Sequence, residues 1–199
     1  MSEKTSKQIR SMVTSEGNIE ISIATVGNPT PSENEVLVKI EASPINPSDL
    51  GLLVSFAADF DSLSVSGSGD ATVATMKINP ALMGALKGRV GQSMPIGNEG
   101  AGVVVDAGAN AKGLIGKTVG VAGGAMYSQY RCLPAASCLV MEEGTSSAAA
   151  ASSFVNPLTA LAFIETMKME NHTALLNTAA ASNLGQMLVK ICQDASIPL

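Results

Sequence analysis

The sequence predicts a chain of two parts, mostly β at first and α/β at its end, on three observations. Short apolar segments such as EVLVKI (35–40) recur between glycine-rich turns as far as Gly144. After Gly144 the pattern changes to helix. From Thr173 onward a strand-length apolar run, a small-residue turn and an amphipathic helix follow one another. Short strands at the first spacing predict a compact barrel or sandwich. Strand, turn, helix and strand make one βαβ unit, because parallel strands need a crossover of that size.

In chain order, Pro29, Pro31 and Asn34 punctuate the approach to the first of these strands. Residues 35–40 then alternate Val36, Val38 and Ile40 against Glu35, Leu37 and Lys39, the pattern of a half-buried strand. Residues 54–92 differ, with a Ser/Gly-rich stretch (SVSGSGDAT) and a helical pattern from Pro80 to Lys87. They are expected to form an inserted loop at the rim of the barrel, facing substrate or lying on the surface. Residues 101–105, 117–122 and 130–133 are further short strands between glycine turns. Thr145, Ser146 or Ser147 can cap an alanine-rich turn over 148–151. Asn156-Pro157 opens a second helix, with Asn as cap and Pro at the first helical position. The run LTALAFI (158–164) is apolar nearly all round and predicts a helix buried on several sides, ending near Asn171-His172.

Residues 173–178 (TALLNT) have strand length, and Ile197-Pro198-Leu199 reads as the opening of another strand. Between them Leu184, Met187, Leu188, Ile191 and Cys192 recur at helical spacing, leaving Gln186, Lys190 and Gln193 for solvent. The turn before this helix, Asn177 to Gly185, has the placement of a dinucleotide-binding turn. That fingerprint wants three glycines, for the turn, for backbone approach to pyrophosphate and for helix packing. Here Ala180, Ser182 and Gly185 occupy the three positions, so only the packing glycine is present. A βα turn without a ligand fits the same residues.

The 199 residues suffice for one or two domains, and 46% of them are hydrophobic, enough for a sizeable core. Net charge is −5 with the basic residues scattered, and there are two Tyr, four Phe and no Trp. Neither an electrostatic footprint nor a stacking platform for nucleic acid is visible. The charged start MSEKTSKQIR has no apolar run of a secretory signal, and no stretch of eighteen apolar residues predicts a membrane span. Cys132, Cys138 and Cys192 are odd in number and unpatterned, which suggests reduced thiols and a cytoplasmic location.

Five segments, in this order, give the chain a family resemblance: EVLVKIEASPINPSDL (35–50), PIGNEGAGVVVDAG (95–108), GKTVGVAGGAMYSQY (116–130), FVNPLTAL (154–161) and TALLNTAAASNLGQ (173–186). Together they resemble the medium-chain dehydrogenase/reductase superfamily, in particular its zinc-independent NADPH:quinone oxidoreductase-like branch. The resemblance implies a GroES-like β-barrel domain over 1–155, carrying the insertion 54–92. Residues 156–199 would then be the first βαβ portion of a Rossmann nucleotide-binding domain. It implies an active site in the cleft between two such domains, and a homodimer at full length. The residues that read the ribose 2′ position would lie about twenty residues beyond the turn, past Leu199. The chain is therefore expected to be C-terminally incomplete, and inactive by itself. NADPH is the cofactor the branch implies, with NADH still open.

The zinc-dependent relatives carry Cys in a C-x-[ST]-[DH] motif and His in a G-H-E motif. This chain has Asn46-Pro47-Ser48-Asp49 and Gly97-Asn98-Glu99 at those places. Neutral amides are poor ligands for a cation that prefers thiolate and imidazole, so no metal is expected. The single histidine, His172, reads as a helix-end residue. The implied chemistry is hydride transfer to a small molecule that is already electrophilic, a quinone or an activated alkene, with the cofactor carrying the reaction.

Carried over residue by residue, Asn46 is expected beside nicotinamide or substrate, although Asn-Pro-Ser-Asp reads equally as a turn and helix start. Ser48 would hydrogen-bond a substrate oxygen or cap that helix. Tyr127 would donate a proton or pack as an aromatic, and Glu99 would be structural. Asn156 and Thr159 would line the nicotinamide site. Ala180, Ala181, Ser182, Asn183, Leu184 and Gly185 would hold the pyrophosphate, with side-chain donors from Ser182 and Asn183 compensating for missing glycines. A 2-enoyl-thioester reductase and a non-catalytic member of the fold are the alternatives. The first usually has a Tyr soon after the Asn-Pro motif, and none occurs between Asp49 and Met126.

Overall fold

The computed structural model describes residues 5–199 and divides into two compact units, Met1–Ala151 and Ser152–Leu199. The first unit holds two five-stranded antiparallel sheets. In one, β1 (Thr5–Val13) pairs with β2 (Asn18–Gly27) through a tight turn at Gly17, and β2 pairs in turn with β5 (Val73–Ile78). β4 (Ala58–Ser66) lies outside β5, and the short β6 (Met94–Pro95) lies outside β1. In the other sheet β3 (Glu35–Ala42) is flanked by β7 (Glu99–Ala107) and β9 (Tyr130–Pro134). β8 (Thr118–Ala122) and β10 (Leu139–Val140) continue it on the β7 side.

Alternation explains the cores. Val36 and Val38 of β3 point inward with Val104, Val119, Val121 and Met126, all buried. A second cluster joins Val13 and Ile19 to Met76 and Ile78 of β5 and to Val54 and Ala57. The strands expected over 35–40, 101–105, 117–122 and 130–133 are present. β1 and β2 lie outside the expected set, although Ile19, Ile21 and Ile23 alternate as clearly as Val36 and Val38 do.

The insertion 54–92 is more ordered than a rim loop. Its residues form the β4–β5 hairpin, which extends the sheet because β5 finds the free edge of β2. The expected helical pattern at 80–87 is a 3-10 run over Pro80–Arg89, opened by Asn79, whose Oδ1 accepts from Ala81 N at 3.0 Å. Gly84 and Gly88 lie within it, and no residue of the run is buried, so nothing holds a regular α-helix there.

The first unit also has two short helices. α1 (Pro47–Leu53) starts at Asn46, whose extended backbone (φ −84°, ψ 154°) suits a residue before proline, while Pro47 needs no N–H at the first helical position. α2 (Ser147–Ala150) is capped by Ser146, whose hydroxyl accepts from Ala149 N at 3.2 Å, one of the caps expected.

In the second unit α3 (Val155–Met169) packs against α4 (Asn183–Asp194), with Ala160 and Ile164 against Leu188 and Cys192. Two expectations change here. The helix begins before Asn156, with Phe154 in the cap position, so Asn156 sits inside the first turn rather than capping it. α3 is covered on one stripe only: Leu158, Leu161 and Phe163 are exposed, since α4 is the one helix packed on it within the unit. The stretch Ser147–Met169 is long and apolar enough by length and composition to cross a membrane, a property that core helices share. Residues 173–178 do not form a strand. They are irregular, with one backbone bond toward the chain end, from Leu175 N to Pro198 O at 3.0 Å. Two short segments with no third strand beside them gain too little from pairing to make a ladder. α4 itself has the predicted stripe, with Leu188 and Cys192 buried and Gln186, Lys190 and Gln193 exposed.

Candidate functional site

The segments Asn46–Asp49 and Gly97–Glu99 meet in the first unit. Asn46, at the start of α1, and Glu99, at the start of β7, are both buried, and Asn46 Nδ2 donates to Glu99 Oε1 at 2.9 Å. Asp49 is the hub. Its Oδ2 accepts from Asn46 N and its Oδ1 from Asn98 N, each at 2.8 Å. Asn98 Nδ2 in turn donates to Ser48 Oγ at 2.9 Å. One carboxylate thus ties the start of α1 to the Gly97–Glu99 segment by two charge-assisted bonds. Ser48 is exposed and accepts from Asn98, so its own proton is left for a partner outside this network.

Tyr127 closes the site from the other side. Its hydroxyl donates to Pro44 O at 3.0 Å. Its backbone N–H bonds Ile96 O at 3.0 Å, and its ring lies over Gly97. Gly123, Gly124 and Ala125 all take positive φ, and Gly123 N bonds Asn98 O at 3.1 Å. This sharp turn delivers Tyr127. Burial, and then the neighbouring Asp49 carboxylate, push its phenol well above the ordinary value of 10.0. The group keeps its proton at neutral pH and acts as a donor.

Asn46, Ser48 and Tyr127 are therefore gathered around Asp49, which fills the [DH] position of the motif but has no role assigned to it by the sequence. Its signal in the sequence is that of an acidic residue three after the helix cap. Among the described residues no group of three or more His, Cys, Asp or Glu is assembled.

The other candidates belong to the second unit. Thr159 Oγ1 donates to Val155 O at 2.6 Å, which commits its proton to the helix. Asn156 is half-buried in the first turn of α3. In the turn before α4, Ser182 Oγ donates to Ala179 O at 2.7 Å and accepts from Gly185 N at 3.0 Å. The side-chain donor expected of Ser182 is thus spent on the cap, as a serine at this position favours. A Cβ on Gly185 would lie 2.5 Å from Ala179 O and 2.6 Å from Ala180 O, so this glycine performs the packing role of the fingerprint. The N–H groups of Asn183 and Leu184 head the 12-residue α4, and Ala180 and Ala181 are small and exposed. Two helix-start amides with the positive end of a helix dipole fit a phosphate group. Asn177 adds an Asx turn through Ala179 N at 2.9 Å.

No family model matches the chain, and no curated protein matches it. Solved structures do, and they define a class of fold, that of NADPH:quinone oxidoreductases. A protein from Mesorhizobium loti assigned as an NADPH:quinone reductase superposes with a TM-score of 0.67 at 23% identity, over 99% of this chain and 54% of that one. The quinone oxidoreductase of Coxiella burnetii gives 0.64 at 18%, over 96% and 54%. That of Escherichia coli, solved with NADPH, gives 0.62 at 18%, over 94% and 49%. At these identities the likeness is one of fold, and the chain spans about half the length of the structures it matches.

Proposed function

We propose that this chain is part of a zinc-independent oxidoreductase of the medium-chain superfamily that transfers hydride from NADPH to a quinone or activated alkene. On this reading residues 1–155 are the substrate-side, GroES-like domain and 156–199 the start of the nucleotide-binding domain. The observation that carries it is the Asn46–Asp49–Asn98–Ser48 network. The two places where zinc-dependent relatives carry ligands hold amides already engaged with Glu99 and Ser48, and both Asp49 oxygens accept backbone N–H groups. Neither carboxylate is presented as a ligand alongside soft donors.

NADPH, when bound, supplies the hydride. The N–H groups of Asn183 and Leu184 would hold its pyrophosphate, with Gly185 keeping the turn close to α4. Ser48, its oxygen occupied by Asn98, directs its proton to the acceptor's carbonyl oxygen, which becomes more basic as the hydride arrives. Tyr127 retains its proton at Oη and orients the 44–49 segment through Pro44. Asn46 acts as a positioning residue through Glu99. The partner is a small uncharged electrophile.

The test is NADPH oxidation by the full-length gene product, followed with a benzoquinone and with a 2-enoyl thioester. Quinone turnover that falls about 10- to 100-fold in Ser48→Ala, with KM for NADPH unchanged, is the expected result, since one hydrogen bond used mainly in the transition state is removed. Turnover confined to the thioester selects the enoyl-reductase alternative. Cofactor binding without turnover of either acceptor sinks the enzymatic reading.

A further inference from the structure

The two sheets of the first unit are joined through residues 127–129. Residues 127–129 pair with β1, through Ile9 N to Tyr127 O at 2.8 Å and Gln129 N to Lys7 O at 3.0 Å. The same stretch reaches β3 through Ile40 N to Gln129 O at 2.9 Å and continues as β9 alongside it. Strands β2, β1, 127–129 and β3 thus form one hydrogen-bonded surface curled into a trough of about 630 Å³. That volume lies in the range of small-molecule sites.

The inner face of β1 and β2 shows where the core stops filling this space. Val13 and Ile19, directly paired, are fully buried under the second core cluster. Four residues along each strand, the pair Ile9 and Ile23 points the same way but is 38% and 36% exposed. Ile21, Ile40, Ile45 and Leu53 complete an apolar lining. Ile45 is 70% exposed although it is adjacent to Asn46. Tyr127 also lines the trough, so its floor runs up to the Asp49 network.

The charges at the rim cancel. Lys7 is paired with Asp70 at 2.8 Å, and Glu41 faces Lys39 at 4.0 Å and accepts from Ser147. Among the described residues lining the trough no cation is left over for an anionic chain, so the occupant complementary to them is neutral. We propose that this trough binds the uncharged hydrocarbon chain of a quinone whose ring is presented at the Tyr127 end. The inference rests on the oxidoreductase reading for the identity of the ring, and on the first unit alone for the chain.

Calorimetric titration of the full chain, without nicotinamide cofactor, compares 2,3-dimethoxy-5-methyl-1,4-benzoquinone with its 6-hexyl derivative. Burying six methylene or methyl groups in an apolar trough is worth at least about a thirtyfold gain in affinity. The hexyl derivative is expected to show that gain, and hexanoate to bind more weakly than either. Ile23→Lys, which places a charge in the trough, and Ile9→Phe, which fills it, should each reduce the gain to about threefold or less, with thermal midpoints near that of the wild type. Equal affinities for the two quinones overturn the proposal. So does a concentration-dependent dimer that Ile23→Lys dissociates without any chain effect, because the trough is then an interface between copies. A chain-dependent gain with no NADPH oxidation by the full-length gene product keeps the trough and removes the oxidoreductase reading; turnover by that product without the gain does the reverse.

Discussion

Gly97 sits at φ +100°, and a Cβ there would lie 2.6 Å from Tyr127 Cδ1 and 2.7 Å from Tyr127 N. Both the backbone conformation and the ring above it demand glycine. Gly97→Ala should destabilise the first unit by about 3 kcal/mol, combining left-handed strain with displacement of Tyr127. Urea unfolding followed by circular dichroism measures it, and a loss below about 1 kcal/mol would mean that the 96–98 segment adjusts freely. Tyr127 gives a pH signature. Its folded-state pKa is raised above the ordinary 10.0, so the unfolded chain loses the phenolic proton first. The stability linked to this group is complete below pH 10.0 and is lost as pH rises toward the folded value. Tyr127→Phe should therefore flatten the alkaline decline of stability, and parallel declines in both proteins would count against a buried phenol. Gly97 and Tyr127 are legible in the sequence as motif positions. Asp49 is a motif position too, but its role is not legible, because half of it is a bond from Asn98 N, and nothing in the sequence brings residue 98 to the start of α1.

Periodicity settles elements wherever each can bury a face within its own unit. β3, β7, β8, β9 and α4 all fall where alternation or helical spacing puts them. It fails where tertiary pairing decides the outcome: 58–78 is a hairpin because β2 offers an edge, and 173–178 stays outside any sheet, its own unit holding no strand to pair with. The turn before α4 lies between these cases. Its missing glycines make it ambiguous as a sequence, but Ser182 caps the helix through Gly185 N and Gly185 packs against Ala179 O. Ser182→Ala should cost α4 about 1 kcal/mol, the usual worth of such a cap. Gly185→Ala should cost more, since its Cβ meets backbone oxygens that cannot give way. Amide exchange across 183–194 reads both, and protection unchanged by Gly185→Ala would show that the close approach at Ala179 is not maintained in solution.

At the level of the whole chain, the two units differ in how completely they are closed. The first encloses its cores between two sheets. The second rests on one helix pair, with Leu158, Leu161 and Phe163 uncovered, and it leaves Met169 80% and Leu176 92% exposed. Small units bury a smaller fraction of their surface, and contiguous exposed apolar residues promote association. The second unit should therefore open at lower denaturant than the first. Early proteolytic cuts are expected within 170–182, where irregular exposed backbone links α3 to α4. Self-association should follow the same surface: Met169→Gln combined with Leu176→Gln is expected to lower the light scattering of concentrated protein and to leave the unfolding of the first unit unchanged. Exchange resolved by segment provides the decisive comparison, because β7 amides should outlast those of α4 by at least about tenfold. A single coincident transition for both segments, with first cuts outside 170–182, would mean that the chain unfolds as one cooperative body despite its two units.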